Sequence, residues 1–282
     1  MQKIILPVLL LCASFLQAQV FMRNFENAAS LSLGSATLAY PDLSIGTTNE
    51  AQLGLPHKLG FLASTAIPYG ISDWQSVQVQ GYANIGSNSG VGIDINHGGT
   101  EDYLEQRARV QYGRRLGQKF YLGASLDALR VSQQEYGSSN TATFSVGMMA
   151  QALPKVWIAA RVSNPLQQKL SDEILPTTLR IGACWQASNL FLMLLETEKI
   201  IDHPVQLKAG AEYRPTPLVA IRIGTRNNPA RIGFGAGLRL KNGLRIDLGS
   251  EWHPVLGITP SAAIAWSKDK YHRNQKSGPD NQ

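Results

Sequence analysis

The part of the sequence that most limits the possible folds begins at Val205, where apolar and polar residues alternate through four successive segments. In the first segment, V-Q-L-K-A-G-A-E-Y-R, every second residue from Val205 to Tyr213 is apolar, and the residues between them are polar or glycine. Successive side chains of a β-strand point to opposite faces. Each segment is therefore predicted to be a strand with one apolar face and one charged face.

The charged face of these strands is rich in arginine, including Arg214, Arg222, Arg239 and Arg245. A soluble sheet also alternates, but consecutive strands with so many arginines on one face, joined by short turns, are more typical of a membrane barrel. The apolar face would contact lipid, and the charged face would line the lumen. The sequence thus predicts an all-β chain that folds as a closed antiparallel transmembrane β-barrel.

Residues 1–18 are predicted to be a secretory signal peptide. Lys3 gives the positively charged start, Ile4–Leu16 forms the apolar run, and Ala18 precedes a plausible cleavage site. The apolar run is too short for a membrane-spanning helix. After cleavage Cys184 is the one remaining cysteine, so no intrachain disulfide is expected.

Charge and hydropathy exclude two further classes of protein. No other stretch approaches the roughly eighteen consecutive apolar residues of a spanning helix. The formal net charge is +6, but the basic residues are spread along the strands, so no nucleic-acid partner is expected. No linker or composition break divides the chain before residues 268–282, which are hydrophilic and predicted to be a disordered periplasmic tail.

Alternation and turn signals predict about fourteen strands, which together make residues 58–267 the barrel. An even number is typical of single-chain bacterial barrels. The predicted strands are Lys58–Ala66, Trp74–Asn84, Ser89–Asn96, Asp102–Gly113, Lys119–Arg130, Thr141–Gln151, Lys155–Ser163, Thr177–Gln186, Asn189–Thr197, Val205–Arg214, Leu218–Arg226, Ala230–Lys241, Gly243–Trp252 and Ile258–Ser267.

The predicted connections indicate how the barrel is oriented. If both chain ends are periplasmic, the even-numbered connections lie on the periplasmic side. These connections, as at Gly86 and Gly117, are short. The odd-numbered ones are mostly longer, and they include H-G-G-T-E, S-Q-Q-E-Y-G-S-S-N and residues 164–176. Short periplasmic turns and longer external loops are typical of barrels in the outer membrane of Gram-negative bacteria, which is the predicted location.

Residues 19–57 precede the first strand and have no clear period. Within them Asn49 follows Asp42 by seven positions, and Ala51 and Leu53 come next. This pattern resembles the N-terminal signature of the FadL-like outer-membrane barrels and of the related PorV- and PorQ-like barrels of type IX secretion. The resemblance implies an outer-membrane barrel and assigns these four residues to the family motif.

The chain departs from that pattern at Glu50, where the families usually have proline, and at Gln52, where glycine is common. A second similarity is Leu175–Gly182, which resembles the entry into a mid-barrel strand in these families. Because residues 19–57 contain too few alternating positions to form a wall strand, we expect this segment to lie inside the lumen.

One predicted strand, Asn189–Thr197, is apolar on both faces. Leu192 and Leu194 fall on one face, whereas Met193 and Leu195 fall on the other. Both faces must therefore be dry. The lumen side of this strand is predicted either to pack against the N-terminal segment or to line a hydrophobic pocket.

The inward face of the predicted strands holds charged residues of both signs. One interpretation is a structural network in which opposite charges pair across the lumen. The other is that the arginines form a selectivity lining for an anionic solute. The predicted lumen-lining charged residues are Glu105, Arg107, Arg109, Asp127, Arg161, Arg180, Lys208, Glu212, Arg222, Arg239, Arg245, Asp247 and Glu251.

No catalytic site, metal site or cofactor is predicted. None of the histidines shares a strand face with a serine or carboxylate at a suitable spacing, and no metal-ligand spacing is present. The G-F-G-A-G run at Gly233 lies within a strand and is therefore not a dinucleotide loop. Its glycines are expected to make room for a neighbouring side chain or for the N-terminal segment. All five histidines are predicted to fall in connections or tails: His57, His97, His203, His253 and His272.

The favoured interpretation is a non-enzymatic accessory or scaffold barrel in protein secretion or surface-protein handling, as the PorV-like resemblance implies. The FadL resemblance implies the alternative, a transporter of small hydrophobic compounds across the outer membrane. A third interpretation is a soluble all-β binding protein. The expected partners are outer-membrane lipid and, for a scaffold, other secretion-system proteins, while the oligomeric state stays open. A transporter needs an apolar pocket with a lateral or periplasmic opening, whereas a scaffold can be occluded.

Overall fold

The structure is a computed structural model that describes residue 21 and residues 26–171, 173–240 and 242–268. The predicted signal peptide, residues 1–18, lies outside the described residues, as does the predicted tail beyond Lys268. Among the described residues, no helix has both the length and the apolar character needed to cross a membrane.

Fourteen strands close into an antiparallel β-barrel, which confirms the predicted fold class. The first strand pairs with the last, from Gly60 opposite Ser267 to Ala66 opposite Ser261. A small separate hairpin, β8–β9, lies in the connection between the wall strands β7 and β10. The strands are β1 (Leu59–Ala66), β2 (Gln75–Asn84), β3 (Ser89–Gly99), β4 (Tyr103–Arg115), β5 (Phe120–Gln133), β6 (Gly137–Leu153), β7 (Val156–Ser163), β8 (Lys169–Leu170), β9 (Glu173–Ile174), β10 (Thr178–Trp185), β11 (Phe191–Ile200), β12 (Gln206–Tyr213), β13 (Val219–Arg226), β14 (Arg231–Arg239), β15 (Leu244–His253) and β16 (Gly257–Ser267).

The wall follows the sequence alternation. In β5, Leu126 is 71% exposed, whereas its neighbours Ser125 and Asp127 are each 3% exposed. The adjacent strands keep the same phase, because Leu126 lies opposite Val110 in β4 and Phe144 in β6. Since the outward residues are apolar around the barrel, the exterior is suited to contact lipid.

The connections at the two rims indicate which end faces the periplasm. One rim is where β1 begins and β16 ends. It carries the connections 85–88, 116–119, 154–155, 186–190, 214–218 and 240–243. The opposite rim carries the two longest connections, 67–74 and 164–177. Periplasmic turns of outer-membrane barrels are the shorter ones. The rim with the chain ends is therefore the periplasmic rim, and the opposite rim is the outer rim.

Each predicted strand overlaps an observed one, but two predicted outer connections are wrong. The segment S-Q-Q-E-Y-G-S-S-N is mostly strand, because β5 continues to Gln133 and β6 begins at Gly137. The connection predicted at H-G-G-T-E is likewise shorter than expected, because β3 runs to Gly99 and β4 begins at Tyr103. Serine, asparagine and glycine leave no alternating pattern at these outer strand ends, yet their backbone groups still pair with the neighbouring strand.

Residues 26–57 lie inside the barrel and are called the plug below. A short helix, α1 (Ala28–Ser32), follows Asn27, whose side chain accepts a hydrogen bond from the N–H of Ser30 at 3.0 Å. A 3₁₀ helix, Glu50–Gly54, follows Asn49, which accepts one from the N–H of Ala51 at 3.1 Å. Asparagine is a preferred residue at such helix starts, because its side chain satisfies a free backbone donor. A third short helix, the 3₁₀ turn Pro68–Gly70, lies outside the plug in the first outer connection.

The lumen side of β11 packs against the plug. Leu192 and Leu194 are each 1% exposed and belong to one apolar cluster with Leu38 and Tyr40 of the plug. Of the two possibilities predicted for this strand, the structure therefore has the first. The dry inner face of β11 is a docking surface for the N-terminal segment.

A row of glycines in β3 to β6 lets the plug approach the wall closely. Gly113 pairs with Gly90 on one side and with Gly123 on the other, and Gly123 pairs with Gly147. The 3₁₀ helix of the plug lies on this row, so that a Cβ atom at Gly113 or Gly123 would collide with the backbone of Glu50. Glycine in a strand often marks such a close approach of another backbone.

A second row of glycines crosses β12, β13 and β14. Gly224 pairs with Gly210 and with Gly233. The end of α1 lies against this row, because a Cβ atom at Gly224 would collide with the backbone of Leu33, and one at Gly233 with that of Leu31. The glycines around Gly233 thus make room for the N-terminal segment.

We expect Ile223→Arg to destabilise the protein folded in a bilayer by ~2–4 kcal/mol, as is typical for arginine at mid-depth on a lipid face. Ile223 is 59% exposed on the outer face of β13. The measurement is the urea midpoint for folding into phosphatidylcholine vesicles, with the folded form identified by its heat-modifiable gel mobility. Val255→Arg is the control, because Val255 is 84% exposed in the outer connection after β15. Equal midpoints for the two variants would contradict lipid contact at β13.

Candidate functional site

The barrel has a cavity at each rim, and each has a volume of about 450 Å³. The outer cavity lies at the outer rim and is lined by the ends of the strands that reach that rim. The periplasmic cavity lies at the opposite rim, beside the connection 240–243 and the end of β16. The plug occupies the lumen between them.

The outer cavity is lined by apolar, polar and charged residues, and apolar surface makes up the larger share. Its apolar lining residues are Leu31, Ala66, Pro68, Trp74, Ile200, Pro204 and Pro229. Its charged lining residues are Glu26, Glu105, Glu198, Arg226 and Arg231. The first outer connection helps to form this cavity, because the N–H of Tyr69 donates to Thr259 Oγ1 at 2.9 Å and the Tyr69 hydroxyl accepts from Arg231 at 3.3 Å.

The plug is fixed to the wall by ion pairs and hydrogen bonds in the lumen. Glu50, which replaces the usual proline of the family motif, accepts from Arg161 Nη2 at 2.8 Å and from Ser125 Oγ at 3.0 Å. Glu50 is 1% exposed and Arg161 is 7% exposed, so the pair is shielded from water. Buried charges of this kind require such partners.

Further contacts hold the middle of the plug. The N–H of Leu38 donates to Glu196 Oε2 at 3.0 Å. The Tyr40 hydroxyl donates to Glu212 at 3.0 Å and accepts from Arg214 at 2.7 Å. These hydrogen bonds join the plug to β11 and β12, which lie more than a hundred residues later in the sequence.

All thirteen charged residues predicted to line the lumen point inward, and most of them pair with opposite charges. Arg107 pairs with Asp94, Arg109 with Asp127, Arg161 with Glu50, Arg180 and Lys208 with Glu196 and Glu198, Glu212 with Arg214 and Arg222, Asp247 with Arg222 and Arg245, and Glu251 with Arg226 and Arg231. Glu105 accepts from the Tyr103 hydroxyl, and Arg239 lines the periplasmic cavity. The lumen thus contains the paired network of the first interpretation.

Several partners in this network were not predicted from the sequence. Asp94 in β3 alternates with Ile93 and Ile95 and could have been found from the strand phase. Glu196 and Glu198 share the inward phase of Leu192 and Leu194 in β11, and the same signal was available there. Glu26 and Glu50 lie in the plug, where no period indicates which side chains face the wall.

The four residues assigned to the N-terminal motif shape the plug. Asn49 begins the 3₁₀ helix, while Ala51 and Leu53 are completely buried on it. Asp42 Oδ1 accepts from the N–H of Ser44 at 2.7 Å, which closes a turn. The motif therefore has a structural role in folding the plug against the wall.

The histidines in the described part of the chain are His57, His97, His203 and His253. His97 lies in β3 and His253 ends β15, so the prediction that all five histidines fall in connections or tails is wrong for these two. His253 Nδ1 accepts from the N–H groups of Val255 and Leu256 at 3.1 Å, and it thereby caps the β15–β16 turn. Among the described residues, no group of three or more histidine, cysteine, aspartate or glutamate side chains could hold a metal ion.

No protein-family model matches the chain, and no curated protein matches it by sequence. The fold, however, is that of known outer-membrane barrels. The toluene transporter TodX of Pseudomonas putida matches with a TM-score of 0.67 and 12% identity, over 90% of this chain and 100% of that chain. The toluene transporter TbuX of Ralstonia pickettii matches with a TM-score of 0.64 and 12% identity, over 89% of this chain and 100% of that chain.

A FadL homologue of Pseudomonas aeruginosa matches with a TM-score of 0.61 and 11% identity, over 88% of this chain and 98% of that chain. At such low identity these likenesses establish a shared fold. They support the FadL-like part of the resemblance and not its PorV- and PorQ-like part. With the apolar exterior, they confirm the predicted location in the outer membrane of a Gram-negative bacterium, and the interpretation as a soluble binding protein is wrong.

The predicted role as an accessory or scaffold barrel in protein secretion is also wrong. The three solved structures named above are two toluene transporters and a FadL homologue, and none of the three is named as a secretion component. The likeness is to transporters and channels, not to enzymes. The chain has the fold of a FadL-type outer-membrane barrel.

Proposed function

We propose that this protein transports small hydrophobic compounds across the outer membrane and catalyses no reaction. The observation that carries the proposal is the outer cavity, whose lining surface is apolar in its larger share and which lies above a plugged lumen. Its volume of about 450 Å³ falls within the range of small-molecule sites. A monoaromatic hydrocarbon of the size of toluene fits this space, and toluene is the compound named for two barrels of the same fold.

The plug argues against passage of polar solutes by simple diffusion. A barrel of this size has room for a channel when its lumen is empty. Here the lumen is filled by residues 26–57, and the spaces beside Asp94 and Arg107 and beside Leu129 and Asn164 have volumes of about 50 and 70 Å³. The lumen is therefore too narrow for a general porin, which supports a function in selective uptake.

The contacts of the plug favour a route that passes beside it. Removing one partner of a buried ion pair destabilises a protein by roughly 3–5 kcal/mol. Moving the plug out of the lumen would separate Glu50 from Arg161 and would also separate Glu196 and Glu212 from their plug partners. A small apolar molecule gains too little on binding to offset that loss, and an apolar molecule is also poorly matched to the ionic interior.

The strand ladder between β6 and β7 stops short of the outer rim. Their ladder runs from Ser145 opposite Ser163 to the periplasmic rim, so the outer half of β6 extends beyond β7. Residues 164–171 and 173–177 cover this half: the N–H of Asn164 donates to Phe144 O at 3.0 Å, and Thr143 Oγ1 donates to Asn164 Oδ1 at 2.9 Å. The wall here is closed by a connection instead of a full strand ladder, and we infer that the barrel opens at this place.

An apolar path leads from the outer cavity to this part of the wall. Tyr103 lines the outer cavity and packs against a cluster of Leu129, Val131, Leu170 and Leu175. The last two of these leucines belong to the connection that covers β6. We infer that a hydrophobic compound enters the outer cavity, passes along this cluster and leaves the barrel between β6 and residues 164–177.

We expect Trp74→Ala to weaken toluene binding about tenfold, because an aromatic contact contributes ~0.5–1.5 kcal/mol in addition to the area that it buries. Trp74 is half-buried in the wall of the outer cavity. The measurement is toluene binding to the detergent-solubilised protein, together with accumulation of radiolabelled toluene by cells that express it. Trp185→Ala is the matched control, since Trp185 lies on the lipid face and is 51% exposed. The same loss in both variants, or no toluene accumulation above that of cells lacking the protein, would argue against the proposal.

A disulfide between the plug and the wall tests the route. A Cβ atom at Gly182 would lie 3.3 Å from Leu38 Cβ, close to the usual Cβ–Cβ separation in disulfides. We expect Leu38→Cys with Gly182→Cys, in a Cys184→Ala background, to accumulate toluene equally well when oxidised and when reduced, because the plug does not need to move. The single-cysteine variants serve as controls. Uptake that is blocked by oxidation and restored by a reductant would show that the plug moves and that the lateral route is wrong.

A further inference from the structure

The periplasmic cavity has a charge pattern that the proposed transport function does not use. Its lining includes Arg239, Arg245 and Lys268, and the described lining residues include no carboxylate. The remaining lining is mostly apolar and includes Leu43, Leu62, Tyr82, Leu218, Leu240 and Trp266. A cavity with three cations and an apolar wall is suited to an anionic group that carries an apolar body.

The side chains behind the cavity add to its positive charge. Arg214 and Arg222 lie beside Arg239 and Arg245 around a small adjoining space. The carboxylates that face these four guanidinium groups are Glu212 and Asp247 in the wall and Asp42 in the plug. Four guanidinium groups thus face three carboxylates at this end of the lumen, and Lys268 adds a further positive charge at the rim.

Arg245 is the group that points most directly to a ligand. Its Nε atom donates to Asp247 at 2.6 Å, and the residue is 5% exposed. Its Nη2 atom is buried and has no hydrogen-bond partner among the described residues. Buried polar atoms in proteins nearly always have a partner. An anion in the cavity that Arg245 lines would supply the missing acceptor.

The depth of the cavity identifies the source of that anion. Phe61 and Trp266 are cross-strand neighbours on the lipid face, and both line the cavity. Trp266 is 38% exposed on that face, at the periplasmic end of β16. Tryptophan at the ends of spanning segments lies at the level of the lipid headgroups. The cavity therefore borders on the headgroup layer of the periplasmic leaflet.

We propose that the periplasmic cavity binds the headgroup of an anionic phospholipid. Arg239, Arg245 and Lys268 contact the phosphate, since guanidinium groups match the oxygens of a phosphate in pairs. A volume of about 450 Å³ holds the headgroup and the glycerol. The acyl chains lie outside, along Phe61 and Trp266. The cavity has no carboxylate among its described lining residues to receive an ammonium group, so a net negative headgroup binds better than a zwitterionic one.

Native mass spectrometry of the full chain in detergent tests this site. Dioleoyl-phosphatidylglycerol is titrated against the protein, dioleoyl-phosphatidylethanolamine is the zwitterionic lipid, and inorganic phosphate is the free anion. We expect phosphatidylglycerol to bind more tightly than phosphatidylethanolamine. Arg239→Gln with Lys268→Gln should weaken phosphatidylglycerol binding roughly 25-fold, because each basic group near a lipid surface contributes about fivefold. Arg245→Gln is a second variant and should weaken phosphatidylglycerol binding about fivefold, with its heat-modifiable mobility as the check that it folds.

The matched control is Arg130→Gln with Lys169→Gln, which removes the same charge from exposed positions near the outer rim. It should leave phosphatidylglycerol binding unchanged. Equal binding of the two lipids would overturn the proposal. Equal losses of phosphatidylglycerol binding in the variant Arg239→Gln with Lys268→Gln and in its control would also overturn it. Displacement of phosphatidylglycerol by an equal concentration of inorganic phosphate would show that the site takes a free anion and would overturn the assignment to a lipid.

Discussion

The structure depends on one constraint, which is that a strand inside a membrane finds no water to satisfy its backbone. Each N–H and C=O group must pair within the protein, and only a closed sheet does this for every strand. The pairing of β1 with β16 meets the requirement. Closure then determines much of the rest, because it places most apolar side chains of the alternating pattern against lipid and most charged ones in an enclosed lumen.

An enclosed lumen with charged walls needs partners of its own, and the plug supplies many of them. Glu50 of the plug forms an ion pair with Arg161 of the wall, and the Tyr40 hydroxyl donates a hydrogen bond to Glu212 of the wall. The result is a densely packed interior that contains ion pairs and an apolar cluster between the plug and β11. Apolar groups beside open space are found at the outer rim, next to the cluster around Leu129, which is why transport is assigned to the side of the barrel and not to its axis.

The wall could be predicted from the sequence because period-two alternation is a local property of each strand. The outer ends of β5 and β6 could not, since a strand that leaves the membrane no longer needs an apolar face. The inward charges also follow from the phase, but their pairing does not. Glu50 meets Arg161 across 111 positions, and that contact depends on how the plug folds. The choice between scaffold and transporter depended on family resemblance alone, because no local pattern reveals a cavity formed by several connections.

The two glycine rows have a consequence for biogenesis. Glycine weakens a strand because it has no side chain to pack and is costly to order. A wall built on Gly113, Gly123 and Gly224 is therefore short of internal support until the plug fills those depressions. The plug is continuous with β1 and is held by buried charges in the closed barrel. We therefore expect the wall to reach its full stability only together with the plug, so that maturation of the barrel and loading of its lumen are coupled.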